Sequence, residues 1–179
     1  MSTDDHEISQ LSKENDAEVF ERNPEISNDN ASSEAVLIDV LKKIKINETS
    51  FPDITVFLQC TSPFTNSDDI DGIINKFIES SADSAFSATI FKHFVWGENK
   101  NNSIMGINHN EKSVRKRRQE IDQQFLESGS IYVFKSKEFL KYKNRFFGNI
   151  VVYKIPNRRS LEIDDKDDLS LADLMSKNF

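Results

Sequence analysis

One cysteine, Cys60, is all the chain has, so it forms no internal disulfide and fits a reducing compartment. No apolar run approaches the roughly 20 residues that a membrane-crossing helix needs, and the first residues show no signal-peptide pattern. The expectation is a soluble, cytoplasmic protein with no membrane partner. Positive charge is also short: 23 Lys and Arg stand against 30 Asp and Glu, a net charge of −7. Nucleic acids and anionic membranes demand clustered cations, and the one basic run, Arg115 to Arg118, is too brief to reverse that balance. Glycine is scarce and scattered (Gly72, Gly97, Gly106, Gly129, Gly148), with none in a phosphate-cradling loop. The three histidines, His6, His93 and His109, have no ligand spacing with Cys60 or with one another.

What is present alternates between short apolar runs and helical patterns. A short helix is expected over Asp5–Asn15, with Ser2, Thr3 and Asp4 as cap candidates, then a polar loop from Glu21 to Asn30. Ser32 or Ser33 caps a second helix through Ile44, whose apolar residues Val36, Leu37, Val40, Leu41 and Ile44 follow a 3.6-residue period. The run Ile54-Thr55-Val56-Phe57-Leu58-Gln59, bounded by Pro52 and Pro63, suits a strand buried on both faces. Asn66 or Ser67 then opens a helix to Ile78 with Ile70, Ile73, Ile74 and Phe77 inward. Further strands are expected at 85–91, 103–107, 131–135 and 150–155, a short helix around Phe139, and a last helix over 166–175. Strand and helix alternating in this order predicts an α/β fold, Rossmann-like, with a mostly parallel sheet flanked by helices. One domain over 1–179 is expected.

In open α/β sheets ligands sit beyond the carboxyl ends of the strands. The polar residues there are Gln59, Thr61 and Ser62, then Lys92, His93 and Trp96, and finally Glu162, Asp164 and Asp165. Glu162 and Asp164 flank Ile163; in an extended segment, residues two apart share a face, and two such carboxylates suit a hard cation. The plainer reading is a solvated acidic turn in which Asp165 or Asp167 caps the last helix. Both readings stay open on the residues alone. The same holds for Ser33, a helix cap or a ligand contact; for Tyr132, a core residue or a pocket wall; and for Arg118, solvated within its basic run or paired with an anion.

Four fragments occur in order: Leu58-Gln59-Cys60-Thr61-Ser62-Pro63-Phe64, Arg117-Arg118-Gln119, Gly129-Ser130-Ile131-Tyr132-Val133-Phe134, and Arg159-Ser160-Leu161-Glu162-Ile163-Asp164. With the opening Ser2-Thr3-Asp4-Asp5 and the stretch Arg22 to Ser33, the chain resembles the acylneuraminate cytidylyltransferases, also called CMP-sialic acid synthetases, and their relatives acting on legionaminic acid. The resemblance implies the nucleotide-diphospho-sugar transferase type of fold, a homodimer, and Mg²⁺-dependent transfer of CMP from CTP to an acidic nine-carbon sugar with release of pyrophosphate. Arg22, Ala31 and Ser33 match positions that hold cytidine. Gln59, Arg118 and Tyr132 match the sugar pocket, with the Arg118 fork suited to the sugar carboxylate. Glu162 and Asp164 match the metal pair, and Phe146 with Phe147 looks like the aromatic pair that a partner subunit lends to the sugar pocket. A dimerisation and sugar-lid insertion is implied around 92–149.

Departures are visible too. Glu162 stands where the family usually has Asp, and Thr65 where it usually has Arg. The resemblance further implies that the first strands and the Gly-, Ser-, Lys- and Arg-containing triphosphate loop are missing, so that alone the chain lacks activity. Three readings follow: an enzyme part that needs a separate N-terminal fragment, an inactive remnant that dimerises or binds sugar, and a metal-dependent glycosyltransferase built on the Glu162-Ile163-Asp164 triplet.

Overall fold

The computed structural model describes residues 1–28, 30–47 and 51–177, with only the backbone described for Lys45, Ile46, Asn47 and Arg118. The strands are β1 (Ser2–Thr3), β2 (Phe20–Glu21), β3 (Ile54–Leu58), β4 (Ser84–Phe91), β5 (Trp96–Glu98), β6 (Ile104–Gly106), β7 (Gln124–Lys135) and β8 (Ile150–Lys154). The helices are α1 (His6–Glu14), α2 (Ser33–Asn47), α3 (Ser67–Glu79), α4 (Ser136–Tyr142) and α5 (Lys166–Ser176), with short 3₁₀ turns at Pro24–Ile26, Arg118–Glu120 and Asn157–Arg159. Among the described residues no helix is long and apolar enough to cross a membrane.

Caps explain where helices start. Asp5 accepts from Ile8 N–H at 2.8 Å and begins α1, so the cap lies one residue beyond the three candidates read from sequence. Ser32 Oγ accepts from Ala35 N–H at 3.2 Å at the head of α2, and Asn66 Oδ1 accepts from Asp69 N–H at 2.9 Å at the head of α3. Asp165 and Asp168 form a reciprocal capping box on α5.

The four-stranded sheet has the order β3-β7-β4-β8, and it is mixed rather than mostly parallel. Thr55 pairs with Ser136 through hydroxyls 2.8 Å apart, while Gln59 N–H donates to Ser130 O at 3.2 Å. Advancing along β3 therefore means retreating along β7. Lys135 N–H to Asp83 O (3.2 Å) and Ile131 N–H to Ser87 Oγ (3.0 Å) give β7 the same opposed sense against β4. Ser84 N–H to Asn149 O (3.2 Å) and Ile155 N–H to Ala88 O (2.9 Å) make β8 parallel to β4. Three strands thus run one way and β7 alone runs against them. Between β4 and β7, residues 92–123 contain the β5–β6 hairpin and a 3₁₀ turn rather than a crossover helix, a connection compatible with opposed strands. Within residues 92–149, the stretch Gln124–Lys135 is strand β7 of the main sheet.

Contacts gather into two units. The first comprises Met1–Phe57, Ile74–Ala85 and Tyr132–Val151. Its core holds Leu41, Phe77, Val133, Phe134, Phe139 and Phe147, with the Phe134 and Phe139 rings stacked at 4.6 Å. Each such side chain contributes about 2–3 kcal/mol on burial. Here β1 and β2 pair in parallel around α1, and Asp83 ties Lys135 Nζ (2.6 Å) to Asn149 N–H (2.8 Å).

The second unit comprises Leu58–Ile73, Phe86–Ile131 and Val152–Phe179. Ile73, Ala88, Ile131, Ile155 and Ala172 are buried in it. In its hairpin the Phe94 and Trp96 rings meet His109 edge-on at 4.8 and 4.9 Å, beside a cavity of about 270 Å³.

Candidate active site

Within the second unit, three pieces of backbone converge. The turn after β3 (Gln59 to Ser62) meets the acidic segment through Ile163 N–H, which donates to Thr61 O at 2.9 Å. Gln59 N–H meanwhile reaches Ser130 O in β7, next to Gly129. There the strand is locally disrupted: Gly129 has φ +66°, and the Ser87 hydroxyl takes the place of a ladder partner by accepting Ile131 N–H and donating to Ile131 O at 3.3 Å. Ser87 and Ser128 hydroxyls lie 2.7 Å apart and complete the buried polar patch. The Glu162 carboxylate occupies the space where a Cβ at Gly129 would sit, so glycine serves here for its left-handed backbone and for its missing atom.

Glu162 and Asp164 thus lie on a segment whose backbone is bonded to the turn that begins at Gln59. Glu162 is half-buried; burial first, then the charges of Asp164 and Glu127, push its carboxyl above the usual carboxylate range. Asp164 is exposed, and its N–H donates to Asp168 Oδ2 at 3.1 Å. Because Asp165 is the residue that caps α5, the acidic turn does serve as a cap, yet neither Glu162 nor Asp164 is consumed by that duty. Thr61 Oγ1 and Ser62 Oγ, beside them in the chain fold, are buried without a partner among the described residues. Buried polar atoms are seldom left so. Two carboxylates with spare oxygens suit Mg²⁺, which takes one or two protein carboxylates and completes its shell with water and substrate oxygens. Among the described residues no larger His, Cys, Asp and Glu cluster gathers. Sequence reasoning did not single out Glu127 or the Gly129 break. Gly129, set between two serines just before the apolar run Ile131–Phe134, was the available signal.

In the first unit Arg22 lies in the parallel β1–β2 region: its N–H donates to Thr3 O at 3.0 Å and its Nη2 to Ser2 O at 2.6 Å. Its Nε is buried without a partner among the described residues, and the residue lines a cleft of about 420 Å³ with Val19, Phe20 and Lys43. Ala31 is half-buried, its N–H donating to Asn28 O at 2.9 Å. Since Ser32 caps α2, Ser33 is released from that role.

The aromatic predictions change. Tyr132 is 4 % exposed, stacked on Phe57 at 5.9 Å and met by Phe146 at 6.0 Å, with Arg145 4.5 Å above its ring. It is a core residue, the plainer of its two readings. Phe147, expected to project into a partner's pocket, is buried at 8 % exposure; its ring stacks on Tyr142 at 5.3 Å and its N–H donates to Ser84 Oγ. Its polar neighbours suggested a projecting loop, but burying an aromatic ring outweighs them. Arg118 begins a 3₁₀ turn, and its side chain lies outside the described residues.

Comparison with known proteins places this arrangement. A pseudaminic acid cytidylyltransferase of Campylobacter jejuni is 27% identical over 181 residues, matching 99% of this chain and 77% of that protein. An N-acylneuraminate cytidylyltransferase of Streptococcus agalactiae is 27% identical over 172 residues, 94% of this chain and 40% of its own length. Among solved structures, the CMP:2-keto-3-deoxy-manno-octonic acid synthetase complexed with CTP superposes with a TM-score of 0.65 at 14% identity, over 99% of this chain and 80% of that one. The 4-diphosphocytidyl-2C-methyl-D-erythritol synthase of Anaerococcus prevotii gives 0.66 at 11% identity, over 97% and 77%. These two share the fold. The family model described as cytidylyltransferase matches residues 1–174, and the chain belongs to the cytidylyltransferase family.

Proposed function

We propose that the chain transfers CMP from CTP to the anomeric hydroxyl of a nine-carbon acidic sugar of the pseudaminic, sialic or legionaminic type, releasing pyrophosphate in the cytoplasm. The observation that carries this is the convergence of the β3 turn, the Gly129 break and the Glu162–Asp164 segment, with two buried hydroxyls that lack partners among the described residues. Membership of the cytidylyltransferase family and the names of the relatives support the donor and the sugar class.

In this reaction the sugar oxygen forms a bond to the α-phosphorus of CTP as the bond to the bridging oxygen of pyrophosphate breaks, and the hydroxyl proton passes to solvent. Such transfer asks the protein for placement and charge neutralisation rather than covalent help. Glu162 and Asp164 are the residues that would hold Mg²⁺, which when bound supplies positive charge to nucleotide oxygens. Thr61 and Ser62 hydroxyls can donate to a ligand oxygen, and Gln59 can orient the sugar. Within the first unit, the spare Nε of Arg22 and the Lys43 ammonium line a cleft that suits an anionic group, and Ala31 and Ser33 belong to the same unit. Homodimer formation belongs to the same reading.

The test is a pyrophosphate-release assay on the purified chain with CTP, Mg²⁺ and each of the three sugars. Release with at least one sugar, abolished by chelation, is the expected result. No release with any of them, at protein concentrations where the chain is folded, rejects the activity of the chain alone and favours the inactive reading that the resemblance implies.

A further inference from the structure

Asp69 lies in the first turn of α3 and is 3 % exposed. Both its oxygens are taken by one guanidinium: Arg159 Nε donates to Oδ2 at 2.7 Å and Nη2 to Oδ1 at 2.8 Å. A two-pronged pair fixes the planes of both groups, which a point charge does not. Burying such a pair is a weak source of net stability, because desolvation offsets much of the attraction. Its geometric consequence is larger. Arg159 closes the Asn157–Arg159 turn just before the acidic segment, and Asp69 is tied through the Asn66 cap to the turn that follows β3. That turn in turn holds Ile163 through Thr61 O. Helix α3 is itself seated: the Tyr153 hydroxyl fills the space where a Cβ at Gly72 would stand.

The segment carrying Glu162 and Asp164 is thus tethered on the side of Arg159 and again at Ile163. It needs tethering, since two like charges so close favour moving apart.

We propose that Asp69 and Arg159 form a positioning pair that sets the divalent-cation affinity of the Glu162–Asp164 segment. The role rests on the metal reading given under the proposed function. It touches neither cation nor substrate. It acts by holding two repelling carboxylates on one fixed segment, where they would hold a cation, as outer partners of metal ligands commonly do.

The purified chain is titrated with Mn²⁺ alone, free Mn²⁺ being read by electron paramagnetic resonance, alongside thermal melts. Arg159→Lys keeps a cation beside Asp69 and removes the fork; Asp69→Asn removes the charge at nearly constant shape; Asp164→Asn is the control. Arg159→Lys is expected to melt cooperatively and to bind Mn²⁺ about ten-fold more weakly, with Asp164→Asn weakened at least as much. If Asp69→Asn does not fold, Arg159→Lys decides. Wild-type affinity in Arg159→Lys beside weakened binding in Asp164→Asn overturns the positioning role alone, and a merely structural strut would give that result with a lowered Tm. Wild-type affinity in Asp164→Asn as well overturns the metal reading and the role with it.

Discussion

Glu34 and Glu162 are both partly buried carboxylates, and their surroundings treat them in opposite ways. Glu34, in the first turn of α2, accepts from Arg145 Nε at 2.8 Å, and Arg145 lies over the rings of Tyr132 and Phe57 at 4.5 and 5.2 Å. Burial is the largest single influence and raises the Glu34 carboxyl, but the Arg145 hydrogen bond, a backbone hydrogen bond and the Arg145 charge together outweigh it, and the net displacement is downward. Glu162 has no cation paired with it among the described residues; its neighbours Asp164 and Glu127 add repulsion, and its carboxyl is pushed upward. A charge that serves only the fold is given a partner. One left short of positive charge is held for something that arrives from outside.

Four outcomes sharpen that contrast. The largest is expected for Asp164→Asn, which should lower the rate of pyrophosphate release by about 100-fold or more, the scale of losing one strong electrostatic contact in a transfer reaction. Its Tm should stay near that of the wild type, so that steady-state rates on folded protein isolate the effect. Arg145→Ala comes next. It leaves Glu34 without its cation and strips a cation from two rings, costing about 2 kcal/mol, or roughly 4–8 °C in Tm for a chain of this size by scanning calorimetry.

A smaller change is expected for Gly129→Ala. The left-handed backbone at +66° alone costs about 1–2 kcal/mol, and the new methyl must displace the Glu162 carboxylate. Denaturant melts read the first effect and Mn²⁺ titration the second. The smallest pair concerns pH. Stability from Glu34, whose folded pKa is lowered, is present above the ordinary carboxylate range and is lost as pH falls through the lowered value. Glu162, whose folded pKa is raised, favours the fold below that range and loses the benefit as pH rises through the raised value. Glu34→Gln should therefore lower Tm at neutral pH and converge with wild type in acid. Glu162→Gln should raise Tm by about 1–2 °C at neutral pH, with added Mg²⁺ narrowing the gap by stabilising only the wild type.

Most helices and part of the site are legible in the amino-acid sequence. The apolar stripe Ile70, Ile73, Ile74 and Phe77 announces α3, and Asp165 is recognisable as a cap because an acid follows it three residues on. The acid-x-acid spacing after β8 is legible as well. Periodicity carries no information on strand direction, so the reversal of β7 stays hidden. The first half of β7 is hidden for another reason. Gln124 to Ser130 is rich in polar and small residues, and its buried serines satisfy one another and the interrupted ladder instead of packing apolar surface. Phe147 misleads because composition around it is polar, while its own fate is set by Tyr142 and the Ser84 hydroxyl, the latter distant in sequence. Pairings of that kind, Arg159 with Asp69 among them, exist only once the chain is folded.

The only tryptophan, Trp96, sits in the β5–β6 hairpin with its indole against His109. Indole emission from this protein will consequently report on the hairpin, shifting when that small ribbon frays. Far-ultraviolet dichroism follows the helices and the main sheet instead. Two optical channels from an unlabelled sample thus watch different parts of the same molecule, and their midpoints need not coincide.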